Sequence, residues 1–384
     1  MSNAELRVLQ ELLKDLVEKG YIERCTNRSS WAAPIMLIRK GGNREGVTNQ
    51  WRIVTDYREL NKRTKASRYT PPNIRAVLDH LVNMKVFSKT DMVGGFYQMG
   101  LKPDDRDKTT FVCKTPEGHT EFYRFKVACL GLAGCPSAYQ EWLEDVMKDC
   151  KGTEVYLDDM IHATKDLESH AALLRQVFEQ CRKHKIYLHS GKCEWAVEQV
   201  DFLGMTISHN RISISKEKVE ALRVYPVPRN FPEVRRFLGF ANYVQQFISH
   251  FSTKASALTN MLKGQADKKK KFIWTKDHQF AFDSLREGLM QSMGLVIPDL
   301  NGQFVIECDA SGEGVGAALF QFVNDRMVPV WFASKKFNQA ERNYSPRDRE
   351  ALAIVFALAK FAPYVKLKPF VLYSDHKSLA MFKN

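Results

Sequence analysis

No apolar run in this chain approaches the ~20 residues needed to cross a membrane, and the N-terminus carries charges where a secretory leader would have an apolar centre. A soluble, intracellular protein is therefore expected, with no membrane partner. Paired cysteines are missing too. The 8 cysteines, at 25, 113, 129, 135, 150, 181, 193 and 308, include no Cys-x-x-Cys pair and no dense framework, which excludes a disulfide-stapled secreted domain and points to a reducing compartment. A zinc site also lacks its full ligand set, because His184, His189 and Cys193 share one short stretch without a fourth ligand at usable spacing. Finally, there is no acidic excess. With 57 Lys+Arg against 44 Asp+Glu, the formal net charge is +13, which favours a polyanion such as nucleic acid over an acidic small molecule.

What is present is a folded chain. Its 384 residues are 44% hydrophobic and 26% charged, enough for about two to four domains with sizeable cores. Ser2-Asn3-Ala4-Glu5 has the form of a capping box, and Leu6, Leu9, Leu13, Leu16 and Val17 follow at helical spacing until Gly20. Two strands come next, from Trp31 to Lys40 and from Trp51 to Arg58. They are joined by a polar loop from Gly41 to Gln50 and form a hairpin carrying Lys40, Arg52 and Arg58. Pro71-Pro72 opens a helix through Leu78, Leu81 and Val82.

The strand from Val86 to Met92 brings Asp91 to its end, immediately before Gly94-Gly95, where missing side chains leave room for a ligand to approach the backbone. A strand at Phe122 to Val127 and a loop at Gly131 to Pro136 lead to a helix with Tyr139, Trp142, Leu143 and Val146 on one face. Val155-Tyr156-Leu157-Asp158-Asp159-Met160 reads as a tight hairpin with acids at its turn, and Leu173, Leu174, Val177, Phe178 and Cys181 form the core face of another helix. Strands and helices in this order indicate an α+β layer with helices behind an antiparallel sheet. Beyond Pro226 and Pro228, Val234, Phe237, Leu238, Ala241, Val244, Phe247 and Ile248 repeat at helical spacing beside Arg235 and Arg236. The run Lys268 to Lys271 reads as a solvated linker. A second pattern begins at Gln303, with strands at Phe304 to Ser311, Val315 to Phe320 and near Val330. A helix from Pro346 carrying Glu350 follows, then a strand from Pro369 to Asp375.

Several of these segments, in this order, resemble motifs of reverse transcriptases. They are Trp51-Arg52 through Asp56-Tyr57-Arg58-Glu59-Leu60-Asn61, Asp91-Met92-Val93-Gly94-Gly95-Phe96-Tyr97-Gln98 and Tyr156-Leu157-Asp158-Asp159. Phe202-Leu203-Gly204 resembles the primer-grip turn, and Phe237-Leu238-Gly239-Phe240-Ala241-Asn242-Tyr243 extends the likeness to gypsy-type (Metaviridae-like) LTR retrotransposons. The C-terminal pattern resembles the RNase H domain of the same elements. Two departures stand out. Many gypsy-type elements have Met-Pro-Phe-Gly-Leu where this chain has Ala128-Cys129-Leu130-Gly131-Leu132, and Asn-Ala-Pro where it has Gly134-Cys135-Pro136.

The resemblance implies an α+β fold: a right-hand polymerase (fingers, palm, thumb) followed by a truncated RNase H-like α/β domain. Fingers and the start of the palm would occupy 1–90, the palm 91–213, thumb and linker 214–290, and the RNase H-like domain 291–384. It implies an RNA-directed DNA polymerase that extends a primer with dNTPs on an RNA or DNA template-primer. Its alternative is a non-catalytic nucleic-acid-binding relic, which intact acids disfavour. Asp91, Asp158 and Asp159 are the implied catalytic and metal-holding acids, for two Mg²⁺ ions with Mn²⁺ as a substitute; hard oxygen ligands suit such ions. Adjacent strand residues face opposite ways, so Asp159 is the supporting ligand and Asp158 with Asp91 the central pair. Lys40 and Arg52 would contact the triphosphate, the bulky Phe96 would lie under the sugar, and Gln98 and Gly131 would form the nucleotide pocket. Asp309, Glu350 and Asp375 match the RNase H metal ligands. With the chain stopping at Asn384, weak or no cleavage of an RNA–DNA hybrid is expected. The implied location is the cytoplasm, in a retroelement particle, with the nucleus as an alternative; monomer and dimer both stay open.

Overall fold

A computed structural model describes residues 1–25, 31–39, 51–65, 69, 72–263, 271–292 and 294–374. Lys40, the Gly41 to Gln50 loop, Lys268 to Lys270 and Asp375 lie outside the described residues. Two compact units emerge: Met1–Ile74 with Ser88–Ala196, and Arg75–Phe87 with Val197–Asn384. No helix among the described residues is long and apolar enough to cross a membrane.

In the first unit the capping box forms, with Ser2 Oγ accepting from the Glu5 amide and Glu5 accepting from the Ser2 amide. The helix Asn3–Glu18 that it starts buries Leu9 and Leu13. These leucines meet Tyr57 and, from a five-stranded sheet ordered Ile22–Arg24, Thr120–Phe125, Phe111–Lys114, Ala33–Arg39, Trp51–Thr55, the side chains of Ile22, Phe111 and Phe125. The last two strands form the expected hairpin, with Ile38 opposite Arg52. The second of them is shorter than its sequence pattern indicates. It ends at Thr55, Tyr57 turns inward to donate its hydroxyl hydrogen to the Thr109 carbonyl at 2.8 Å, and Arg58 begins a helix, Arg58–Arg63.

A second sheet is ordered Thr153–Tyr156, Asp159–Thr164, Val86–Asp91, Glu194–Val197. Helices Cys135–Met147 and Leu167–His184 supply Tyr139, Leu143, Leu173 and Val177 to the core, which Val155 and Met160 complete. Two histidines are buried within this layer. His162 shares its ring nitrogens with Thr90 Oγ1 at 3.0 Å and Thr153 Oγ1 at 2.9 Å, and His170 with Ser88 Oγ at 2.7 Å and Thr164 Oγ1 at 3.0 Å. Hydroxyls can satisfy a neutral imidazole but cannot compensate an imidazolium removed from water.

The second unit holds a small sheet, Gln199–Phe202, Met205–Ser208, Arg211–Ile214 and Leu295–Val296. It also holds the helices Lys216–Arg223, Phe231–Tyr243, Ser256–Met261 and Lys276–Met290, with the Phe237 and Phe282 rings tilted against each other at 4.6 Å between centroids. The first proline-bounded helix stops at Tyr243, and Gln245–Phe247 continues it only as a tighter turn. The unit's larger sheet is ordered Arg326–Lys336, Gly314–Val323, Phe304–Ala310, Phe370–Tyr373, its last pair parallel. Helix Pro346–Val365 covers it and buries Ala353, Ala357 and Phe361 against Phe304, Ile306 and Leu319.

Burial holds His162 down to about 3, against an ordinary 6.5. Between those values the unfolded chain binds a proton that the folded chain does not. The stabilisation is therefore complete above about pH 6.5 and is lost as pH falls towards about 3, by up to about 1.4 kcal/mol per unit. Urea unfolding at pH 7.5 and at pH 5.5 should show a smaller acid loss for His162→Gln than for the parent; equal losses would assign the acid sensitivity elsewhere.

Candidate active site

The paired acids sit on a hairpin whose register places Tyr156 opposite Asp159, leaving Leu157 and Asp158 as the turn. Leu157 takes a φ of 52°, a left-handed conformation that costs a side-chain-bearing residue about 1–2 kcal/mol. Gln140, fully buried on helix Cys135–Met147, holds it there. Its Oε1 accepts from the Leu157 amide at 2.5 Å and its Nε2 donates to the Val155 carbonyl at 2.8 Å. The turn thus gains from a distant side chain the partners that its strained backbone lacks locally.

Asp91 ends the neighbouring strand Val86–Asp91. The segment after helix Leu167–His184 clamps it. The His189 amide donates to the Asp91 carbonyl at 2.8 Å, Leu188 bridges Met92, and the Val93 amide donates to the Tyr187 carbonyl at 3.0 Å. Lys192 from the same segment places Nζ 3.0 Å from Asp91 Oδ2. Asp159 turns to another cation, with its Oδ1 3.5 Å from Lys89 Nζ.

Asp158 is partly enclosed by protein. A Cβ at Gly95 would collide with its Oδ1 and come within 2.8 Å of the Tyr139 hydroxyl. Gly94 and Gly95, where the sequence suggests room for a ligand, both line the neighbouring cleft, and at Gly95 the missing side chain also leaves space for this carboxylate. Burial pushes the Asp158 carboxyl above the usual carboxylate range. The Tyr139 hydroxyl opposes that rise, the charges of Asp159 and Asp91 add to it, and Arg52 opposes it. Burial first, and then Asp158, also raise the Tyr139 hydroxyl.

Arg52, Phe96, Tyr97, Leu130, Asp158 and Lys192 line one cleft of about 440 Å³. Phe96 meets Tyr139 edge to face at 5.0 Å and shows its remaining surface to the cleft. Other candidates are placed differently. The Gln98 amide is engaged with Tyr187, donating to its carbonyl at 3.0 Å and accepting from its amide at 2.8 Å, and it also donates to the Val93 carbonyl at 2.7 Å. It braces the loop between Asp91 and Phe96. Gly131, at φ 98°, faces the Thr55 carbonyl, and its own carbonyl accepts from Asn61 Nδ2 at 2.8 Å, while Leu130 reaches the cleft. In the second unit Asp309 is exposed on strand Phe304–Ala310, and Glu350 Oε1 accepts from the neighbouring Ala310 amide at 3.3 Å.

These acids suit a hard cation. Asp158 Oδ1 and Asp91 Oδ2 are buried oxygens without a well-formed hydrogen bond; the Tyr139 hydroxyl lies near the first, and Lys192 Nζ stands 3.0 Å from the second. The like charges around Asp158 are the kind of imbalance that a divalent ion relieves. Among the described residues no three His, Cys, Asp or Glu side chains are grouped to hold an ion by themselves. Two carboxylates with substrate phosphates and water are nevertheless a usual Mg²⁺ environment. Lys192, Lys89 and Gln140 were not legible as site residues. Only Gln140, a lone amide within an otherwise apolar helix face, carried a signal of its own.

Residues 38–207 match the reverse transcriptase (RNA-dependent DNA polymerase) family, and residues 274–372 match the RNase H-like domain found in reverse transcriptase. The chain belongs to the reverse transcriptase family, with an RNase H-like domain following its polymerase domain. It is 32% identical to the retrovirus-related Pol polyprotein from transposon 412 of Drosophila melanogaster, over 97% of this chain and 29% of that protein. It is 31% identical to the corresponding polyprotein from transposon opus of the same fly, over 97% of this chain and 37% of that protein. The chain thus spans about a third of the length of these relatives. In fold it is similar to the foamy viral protease-reverse transcriptase solved with double-stranded DNA (TM-score 0.83, 21% identity, 97% of this chain and 63% of that one). The same viral protein solved with an RNA/DNA hybrid gives a TM-score of 0.82 at 21% identity, covering 98% of this chain and 49% of that one.

Gly95→Ala tests the seating of Asp158. Displacing that carboxylate by about an ångström should lower primer extension by about a hundredfold while the circular dichroism spectrum stays that of the parent. Parental extension rates would show that the carboxylate tolerates the move.

Proposed function

We propose that this chain is an active RNA-directed DNA polymerase, extending a primer with dNTPs on an RNA or DNA template, as part of a gypsy-type LTR retrotransposon Pol. The observation that carries this reading is the convergence of Asp91 and Asp158 beside a cleft lined by Arg52 and Phe96. Two Mg²⁺ ions held by Asp91 and Asp158, with Asp159 supporting, would supply the charge that activates a primer 3′-hydroxyl and neutralises the pyrophosphate leaving group, and Mn²⁺ would substitute. Arg52 offers a guanidinium fork suited to triphosphate oxygens, and Lys40 belongs to the same proposed contact. The Phe96 ring, which lines the cleft, would obstruct a ribose 2′-hydroxyl.

The formal charge of +13 favours a nucleic-acid backbone as partner. The fold-level relatives were solved with double-stranded DNA and with an RNA/DNA hybrid. The proposed layout keeps fingers and the start of the palm at 1–90, palm at 91–213, thumb and linker at 214–290 and the RNase H-like domain at 291–384. Asp309, Glu350 and Asp375 are its proposed metal ligands. The proposed setting is a cytoplasmic retroelement particle, with the nucleus as the alternative.

With a poly(rA) template, an oligo(dT) primer, dTTP and Mg²⁺, the parent should extend the primer and Asp158→Asn should extend it about a hundred- to a thousandfold more slowly. Binding of the template-primer without extension by the parent would favour the non-catalytic relic. In the same assay with matched ribonucleotides, Phe96→Val should raise incorporation of rNTP relative to dNTP by about ten- to a hundredfold. An unchanged ratio would make Phe96 a packing residue.

A further inference from the structure

Arg75 is 6% exposed, on the short helix Ile74–Asp79. Burying a guanidinium is costly unless charge and hydrogen bonds compensate it, and here the compensation comes from both ends of the chain. Its Nε lies 3.1 Å from Asp79 Oδ1 and donates to the Tyr364 hydroxyl at 3.0 Å, while that hydroxyl donates to Asp79 Oδ2. The guanidinium carbon sits 5.5 Å from the Trp331 ring centroid and 5.9 Å from that of Tyr364, within cation–π range of both. The two rings meet edge to face at 6.2 Å, and Tyr364 packs on Phe304 at 5.8 Å. Burial raises the Asp79 carboxyl, and Arg75, the Tyr364 hydroxyl and His80 oppose the rise.

Asp79 and Arg75 lie within the stretch matched to the reverse transcriptase family, and Trp331 and Tyr364 within the stretch matched to the RNase H-like domain. All four belong to one compact unit. The same short stretch is gripped again at its far end. The Asn83 amide donates to Asn210 Oδ1 at 2.7 Å, Asn210 Nδ2 donates to Asn83 Oδ1 at 3.2 Å, and His209 Nδ1 lies 3.0 Å from the Met84 carbonyl. Directly after this grip the chain enters the strand Val86–Asp91 that presents the first catalytic acid.

We propose that Arg75 is a positioning residue for polymerisation, latched with Asp79 between Trp331 and Tyr364, so that the RNase H-like domain anchors the strand ending in Asp91. Polymerase activity then depends on that domain without any cleavage by it. The catalytic half of this proposal rests on the function proposed above; the latch itself does not.

The test uses the full chain with Arg75→Met, Tyr364→Phe and Arg75→Lys, read by hydrogen exchange of residues 86–91 and by steady-state primer extension. Arg75→Met and Tyr364→Phe should speed exchange in 86–91 and lower kcat about tenfold with the KM for dTTP unchanged. Arg75→Lys, which keeps a cation over the rings, should restore most of both. If Arg75→Met does not fold, Tyr364→Phe, which removes a single hydroxyl, decides alone. Faster exchange confined to residues 304–373, with kcat and residues 86–91 as in the parent, would overturn the proposal. A parent that extends no primer would sink the polymerase reading, while exchange in 86–91 would still decide the latch.

Discussion

The structure around the cleft is arranged about one electrostatic problem, the burial of the Asp158 carboxylate beside two other acids. Removal from water raises the Asp158 carboxyl, and the like charges of Asp159 and Asp91 add to that rise. Each neighbouring feature bears on that cost. Gly95 yields the space of a side chain, the Tyr139 hydroxyl and Arg52 favour the ionised form, Lys192 neutralises Asp91, and Lys89 draws Asp159 aside. Gln140 fixes the left-handed Leu157 and with it the direction in which Asp158 leaves the turn. A site that keeps unbalanced negative charge is prepared for a cation and for the phosphates that accompany it.

The same chain handles buried polar groups in two other ways. His162, on the strand that begins at Asp159, and His170, on the helix that follows it, are buried among hydroxyls that suit a neutral imidazole. Arg75 and Asp79 form a buried pair enclosed by two aromatic rings. A buried ion pair of this kind adds little net stability compared with apolar packing, yet it is demanding about geometry. That quality suits a device that sets the position of a strand.

Much of the architecture was legible because local signals agreed with each other. The capping box at Ser2, the leucine spacing behind it, the hairpin between Ala33 and Thr55 and the apolar face carrying Tyr139, Leu143 and Val146 all formed as their patterns indicate. The errors fell where a tertiary contact overrode a pattern. The strand from Trp51 was read through to Arg58, but the inward turn of Tyr57 ended it at Thr55. By contrast, the glycines after Asp91, read as room for a ligand, both line the cleft, and Gly95 also gives space to Asp158.

The sequence by itself determined the periodicities that make these helices and strands, the net positive charge, and the presence of acids at two strand ends, because those depend on residues close together in the chain. Only the tertiary structure decided which cation meets which acid. Lys192 reaches Asp91, Lys89 reaches Asp159, and Tyr364 closes on Arg75 from the opposite end of the chain. Such pairings depend on strand register and chain path, and a charge carries no mark of its distant partner in the sequence around it.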